Sequence, residues 1–224
     1  MDFPEDYFLD FHAHEQLPAE KEIVIQSLFL QNDLITPKSD KIFFTAGLHP
    51  WHSDKISIEE ISDRLGLLIQ NKSIIAIGET GIDKIKGPDL DIQLQVLKAH
   101  IKIAEEAHLP VIIHSVKAHN EILKLKVDLQ PKIPWVIHHF NGSRQMAFDF
   151  INHGFYLSLS HHISKNSRLS EYLKDLPIEK IFFETDDFDV DIKNLYNIAA
   201  ENIGISIDSL KIQILKNLKK LLNE

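Results

Sequence analysis

Cysteine is absent from this 224-residue chain. That excludes disulfides, thiolate nucleophiles and sulfur ligands, so any bound metal must be held by His, Asp or Glu. Long apolar runs are also missing. No stretch approaches the roughly 18 to 20 residues needed to cross a bilayer, and the start MDFPED is acidic where a secretory signal would be basic. The expectation is a cytoplasmic protein with no membrane association. Basic charge is scarce too: the net charge is −9, which argues against a protein that coats long nucleic acid through a positive surface. A small anionic substrate held through metal ions stays compatible with that balance. Glycine is sparse, with eight residues, and neither a G-x-G-x-x-G turn nor a P-loop follows any apolar run, so no nucleotide-cofactor signature is present.

Histidine, by contrast, is plentiful, with thirteen residues. The chain reads as a single domain over 1–224, since no linker-like stretch divides it. Eight short apolar or β-branched runs recur: YFLDF, EIVIQSLFL, KIFFTAG, SIIAIGE, PVIIHS, PWVIHHF, GFYLSLS and KIFFETD. Between them lie segments with helical periodicity, near 57–70, 89–108, 117–129, 143–152, 166–175 and 191–222, the last broken at Gly204. Over 89–108 the apolar stripe is Leu90, Leu94, Leu97, Ile101 and Ala104. Continuous apolar strands separated by helices predict an α/β protein with a parallel sheet. Eight in series predict a single (β/α)8 TIM-like barrel, distorted by reduced helices in its first third. A doubly wound open sheet is the alternative.

The strand ends of a parallel barrel open on one face, and there the unusual residues collect. The first run delivers His12 and His14, the third leads to His49 in GLHPWH, and the fourth to Glu79 in AIGETGID. The fifth gives His114, the sixth His138 and His139, the eighth Glu184, Asp186 and Asp187, while His161 and His162 follow the seventh. Four or five imidazoles with two carboxylates exceed one tetrahedral site that must keep an open position, so two divalent ions are expected, with Glu79 as bridge and a metal-activated hydroxide as nucleophile. Imidazole and carboxylate donors admit Zn, Mn, Co and Mg. Period two turns His139 away from His138. Asp10 is expected to be a buried partner, or to support a metal-bound imidazole from behind, and not a ligand, and Glu184 to sit deeper in its strand. Ser143 in FNGSR is a plausible helix cap, and backbone N–H groups there could receive a phosphate oxygen.

The motifs DFHAH, GLHP, AIGETGID, LPVIIHS, VIHHFNGS and FFETD, in this order, resemble the TatD-type metal-dependent deoxyribonucleases of the amidohydrolase superfamily. The likeness runs from about residue 8 to 217. It implies that His12, His14, Glu79 and Asp186 hold one ion and that Glu79, His114 and His138 hold the other. It further implies that Asp186 accepts the proton of the attacking water, with Asp186 and Glu79 as the catalytic pair, and that His49, Asn141 and Ser143 contact substrate. The implied function is metal-dependent hydrolysis of phosphodiester bonds at DNA or oligonucleotide ends, with no obligate protein partner. Hydrolysis of a small ester, amide or lactone at the same centre is the alternative. Two departures stand out. TatD-type proteins carry Arg two residues after the fifth-strand His, where this chain has Val116 followed by Lys117, and Asp187–Phe188 replaces the usual Ala-Pro after ETD.

Overall fold

A computed structural model describes residues 4–32, 39–164 and 167–223. Eight strands follow one another in sheet order β1 to β8: Phe8–Ala13, Glu22–Phe29, Ile42–Gly47, Ala76–Asp83, Val111–Val116, Trp135–Ile137, Tyr156–Leu159 and Ile181–Phe183. The paired strands run parallel, and a parallel bridge from Ala13 to Asp186 sets the chain beyond β8 beside β1. This is the strand order of a (β/α)8 barrel, as the eight apolar runs predict. The helices are α1 Ile58–Gln70, α2 Leu90–Ala107, α3 His119–Leu129, α4 Arg144–Asn152, α5 Arg168–Tyr172, α6 Ile192–Ile203 and α7 Ile207–Leu221. The crossover from β1 to β2 holds no helix, in line with the expected reduction there; the next crossover includes residues 33–38 and lies partly outside the described residues. Residue 166, where the fifth helical segment was expected to begin, is also outside them.

The chain forms two compact units, one made of residues 1–26 with 139–224 and the other of 27–138. In the first, β1 and β8 are joined through aromatic packing: the Phe11 and Phe182 rings stack at 4.0 Å. Helix α6 is fastened to β1 by Tyr196, whose hydroxyl accepts the Leu9 N–H at 3.2 Å and donates to the Leu9 carbonyl at 3.0 Å. Buried backbone groups need such partners, because an unmade bond costs the full desolvation of the group. The break between α6 and α7 falls at Gly204, which takes φ 82°, a conformation open to glycine at little cost. Ser206 then caps α7 by accepting the Ser209 N–H.

In the second unit, α2 buries Val96, Leu97, His100, Ile101 and Ala104 on one face, each fully covered large aliphatic side chain contributing about 2 kcal/mol. Leu90 and Leu94 are only half-buried, so the covered stripe lies slightly around the helix from the apolar pattern and takes in the polar Gln93 and His100. Both polar groups are satisfied. Gln93 accepts the Asp83 N–H at 2.7 Å and donates to the Asp83 carbonyl at 3.0 Å. His100 donates from Nδ1 to the Val96 carbonyl at 2.8 Å and accepts the Leu48 N–H at Nε2 at 3.0 Å. These bonds tie α2 to the ends of β4 and β3, the two places from which Asp83 and His49 emerge. Strands β3, β4 and β5 approach closely because Gly47 and Gly78 carry no Cβ: one at Gly47 would strike the Glu79 carbonyl, and one at Gly78 the Ile112 carbonyl.

Burial pushes the His100 imidazole down to about 4 from 6.5, against the pull of the Val96 carbonyl. The unfolded chain therefore takes up this proton first as pH falls. The stability that neutral His100 contributes is whole above about pH 6.5 and is lost progressively towards about pH 4, by about 3 kcal/mol. Urea unfolding of chelator-treated protein between about pH 7 and 5 should show this slope, and His100→Gln should lower stability at neutral pH while flattening it. Equal slopes in the two proteins would refute the assignment.

Candidate metal centre

Two groups of potential ligands form, one in each unit. In the first unit the Asp186 N–H donates to the His12 carbonyl at 2.9 Å and the His14 N–H to the Asp186 carbonyl at 3.3 Å, so the end of β1 and the segment beyond β8 hold each other. Their side chains converge. Asp186 Oδ1 lies 3.4 Å from His14 Nε2 and 3.8 Å from His12 Nε2, and the two imidazoles meet edge to face at 5.1 Å. Asp186 has φ 58°, which departs from strand geometry and redirects its carboxylate.

The residues beneath fix this arrangement. Asp10 is fully buried and accepts both the Thr185 N–H at 3.0 Å and the Thr185 hydroxyl at 2.6 Å. Burial raises its carboxyl to about 7, while the bonds from Thr185 pull in the other direction. Its work is therefore to anchor the residue before Asp186, as the buried partner, not ligand, that the sequence suggests. Glu184 is buried, as expected, and accepts the His139 N–H at 2.6 Å.

His139 departs from expectation more clearly. Alternation would turn it away from the site, but β6 ends at Ile137 and His139 takes φ 47°. Strand periodicity has stopped by that point. The imidazole swings so that Nδ1 lies 2.8 Å from Asp186 Oδ2. His161 and His162, on a short 3-10 turn after β7, stand beside it with ring centroids 5.6 and 5.0 Å from His139.

The second unit gathers its donors around one oxygen. Glu79 Oε1 lies 2.7 Å from His114 Nδ1, 2.8 Å from His138 Nε2 and 3.0 Å from His49 Nε2. Glu79 is nearly inaccessible, at 2% exposure. His114 Nδ1 and His138 Nε2, only 3.3 Å apart beside one buried carboxylate oxygen, form with Glu79 a donor set suited to a shared cation. His49 differs from the other two. Its Nδ1 accepts the Trp51 N–H at 3.2 Å, which leaves Nε2 as the protonated nitrogen facing Glu79. Burial lowers its basicity, offset in part by Glu79, so it stands in the site as a neutral N–H donor. Sequence reading placed it near substrate; the structure places it against the carboxylate.

Asp83 was missed. It shares the strand face of Glu79 and Gly81 at period two, and that spacing was the available signal. Its Oδ2 accepts the Trp51 indole N–H at 2.7 Å and lies 3.5 Å from His114 Nε2, while Oδ1 accepts the N–H groups of Ile85 and Lys86 at 2.8 and 3.0 Å. Burial pushes this carboxyl up, but the indole and the two backbone donors outweigh it and hold the group below its ordinary range. A carboxylate facing the remote nitrogen of an imidazole orients that ring for a metal. Lys86 lies over the Trp51 ring at 3.2 Å and completes this corner. Of the predicted substrate contacts, Ser143 caps α4 by accepting the Met146 N–H at 3.2 Å, and Asn141 is exposed beside it.

Asp83→Ala should release Trp51. Of the two tryptophans, Trp135 is fully buried, so a red shift of the emission reports Trp51 alone. Divalent-ion affinity should fall by about 10- to 100-fold, as expected for loss of a carboxylate behind a ligating imidazole. Unchanged emission together with unchanged affinity would remove Asp83 from the site.

Comparisons with known proteins agree with this architecture. The chain is 33% identical over 158 residues to an uncharacterised metal-dependent hydrolase of Buchnera aphidicola, covering 66% of this chain and 60% of that protein. It is 32% identical over 147 residues to the 3'-5' ssDNA/RNA exonuclease TatD of Citrobacter koseri, covering 63% of this chain and 56% of that one. The match thus spans less than two thirds of these relatives. Among solved structures it resembles YJJV, a TatD homologue from Escherichia coli, with TM-score 0.80 and 20% identity over 99% of this chain and 100% of the other. A TatD-family hydrolase from Entamoeba histolytica gives 0.78 and 18% over 96% and 98%; both likenesses show the fold. The model of the family described as TatD related DNase matches residues 29–223, and the chain belongs to that family.

Proposed function

We propose that residues 1–224 act as one catalytic domain, a metal-dependent phosphodiesterase that trims nucleic acid from a strand end. The observation that carries this reading is the convergence of His114 Nδ1 and His138 Nε2 on one buried oxygen of Glu79, with the His49 N–H beside it. In it, His12, His14, Glu79 and Asp186 hold one divalent ion, and Glu79, His114 and His138 hold a second. Bound ions of this kind supply Lewis acidity towards phosphoryl oxygens and lower the pKa of water. The Citrobacter koseri relative is named for 3'-5' action on single-stranded DNA and RNA, and the same substrate class and polarity are proposed for this chain. An acidic cytoplasmic enzyme suits an end-trimmer, which needs few phosphate contacts.

The roles of the side chains follow from their bonds. Asp186 accepts a proton from the attacking water as the water oxygen bonds to phosphorus and the opposite P–O bond breaks. That proton then passes to the departing oxygen. His139 Nδ1 lies 2.8 Å from Asp186 Oδ2, and Oδ1 is turned towards His12 and His14. His49, kept neutral with its proton on Nε2, donates to a phosphoryl oxygen when Glu79 is engaged by metal. Asn141 and the first N–H groups of α4 flank the strand of substrate phosphates. The second reading, a small ester, amide or lactone, is favoured by Val116 and Lys117 standing where the family carries an Arg for phosphate.

Oligonucleotides labelled at either end, incubated with Mg2+, Mn2+, Zn2+ or chelator, test the proposal directly. The expected result is a ladder that shortens from the 3' end with metal and not with chelator, and Asp186→Asn should slow it by about 100-fold or more. Cleavage of aryl esters with intact oligonucleotide under every ion would move the assignment to the second reading.

A further inference from the structure

The geometry points to an additional transition-metal site, built by His139, His161 and His162 and separate from the six-residue ligand set. One imidazole nitrogen from each lies within 4.8 Å of the others. All three come from one compact unit, on the turn after β6 and the 3-10 turn after β7.

Several features make this a prepared donor set rather than a chance gathering. His139 directs Nδ1 at Asp186 Oδ2, 2.8 Å away. That carboxylate lies beside the ring, where a metal-ligating imidazole often has its support. The Nδ1 atoms of both His161 and His162 are covered and have no hydrogen-bond partner among the described residues. Buried imidazole nitrogens without partners are costly unless something satisfies them. The two rings lie 4.0 Å apart at 35°, which keeps these nitrogens close together. Phe188 packs on His161 at 4.0 Å and on His139 at 5.3 Å, steadying two of the rings from the same side. Three imidazoles with no carboxylate as direct donor suit Zn2+, Co2+, Ni2+ or Cu2+ over Mg2+ or Ca2+, and leave one position open for water or an anionic oxygen.

Two features therefore belong together: the His pair that follows β7, and Phe188, the second residue after ETD, where TatD-type proteins carry a Pro. Through His139, occupancy of the site would also be felt at Asp186.

Elemental analysis after equilibration with Zn2+ and removal of free ion gives the first test. Wild type should retain one more ion per chain than His161→Gln/His162→Gln, both checked for native circular dichroism; an equal count overturns the proposal. A second measurement needs no His variant. Carbethoxylation read by peptide mass spectrometry should modify His161 and His162 in chelator and spare them in Zn2+, and equal modification overturns it. The same protection should persist in Glu79→Gln, in which the proposed bridging carboxylate is lost. Should protection vanish there, the pair merely reports on the other centre and no separate site exists, whereas failure of oligonucleotide cleavage alone leaves the ion count unaffected.

Discussion

The organisation of this protein depends on a carboxylate kept out of water. Glu79 sits on a strand whose residues are all buried, and an isolated charge there would be strongly disfavoured. Imidazoles at hydrogen-bond distance lessen that cost, and a cation would remove most of it. Everything nearby serves the same end. Glycines at 47 and 78 let the neighbouring backbones close in, and the His100 bond to Leu48 steadies the turn that carries His49.

Around each ligand group lies a set of polar contacts that does no chemistry and decides where the donors point. Asp10 holds Thr185, which precedes Asp186. Asp83 holds Trp51 and faces His114, and Glu184 fixes the backbone of His139. These are long-range bonds between strand ends and the loops beyond them. Their buried geometry is worth more than their number, because breaking one leaves a polar group with nowhere to turn. The TatD family model spans 29–223, whereas Asp10, His12 and His14 precede that span; the bridge from Ala13 to Asp186 ties them to it.

The acidic net charge is compatible with the proposed metal-dependent activity. With −9 overall, long-range attraction for a polyanion is weak, so affinity for a nucleic-acid substrate would have to arise locally, where ions and N–H donors meet a few phosphates. Such an arrangement would favour recognition of an end over coverage of a duplex. The imidazole trio next to Phe188 adds a further place where such local chemistry can be concentrated.

The helical spans were legible because period and punctuation agree: Ser143, read as a cap, caps α4, and Gly204, read as a stop, ends α6. The strand ends were legible too, since apolar runs stop abruptly on His, Glu or Asp. Local pattern could not reach the residues whose roles depend on a distant partner. Asp10 was legible as buried, but its bond to Thr185 joins positions 175 residues apart. His139 was misread because alternation ceases where the strand stops, and only the fold reveals that β6 stops at Ile137. Asp83 carried the right periodicity, yet its value lies in Trp51 and His114, which other strands bring to it. By itself, then, the sequence determined which side chains could bind metal and which elements would carry them. Tertiary structure decided which of those side chains face one another, because hydrogen-bond reach is a few ångströms and spacing along a chain does not measure it.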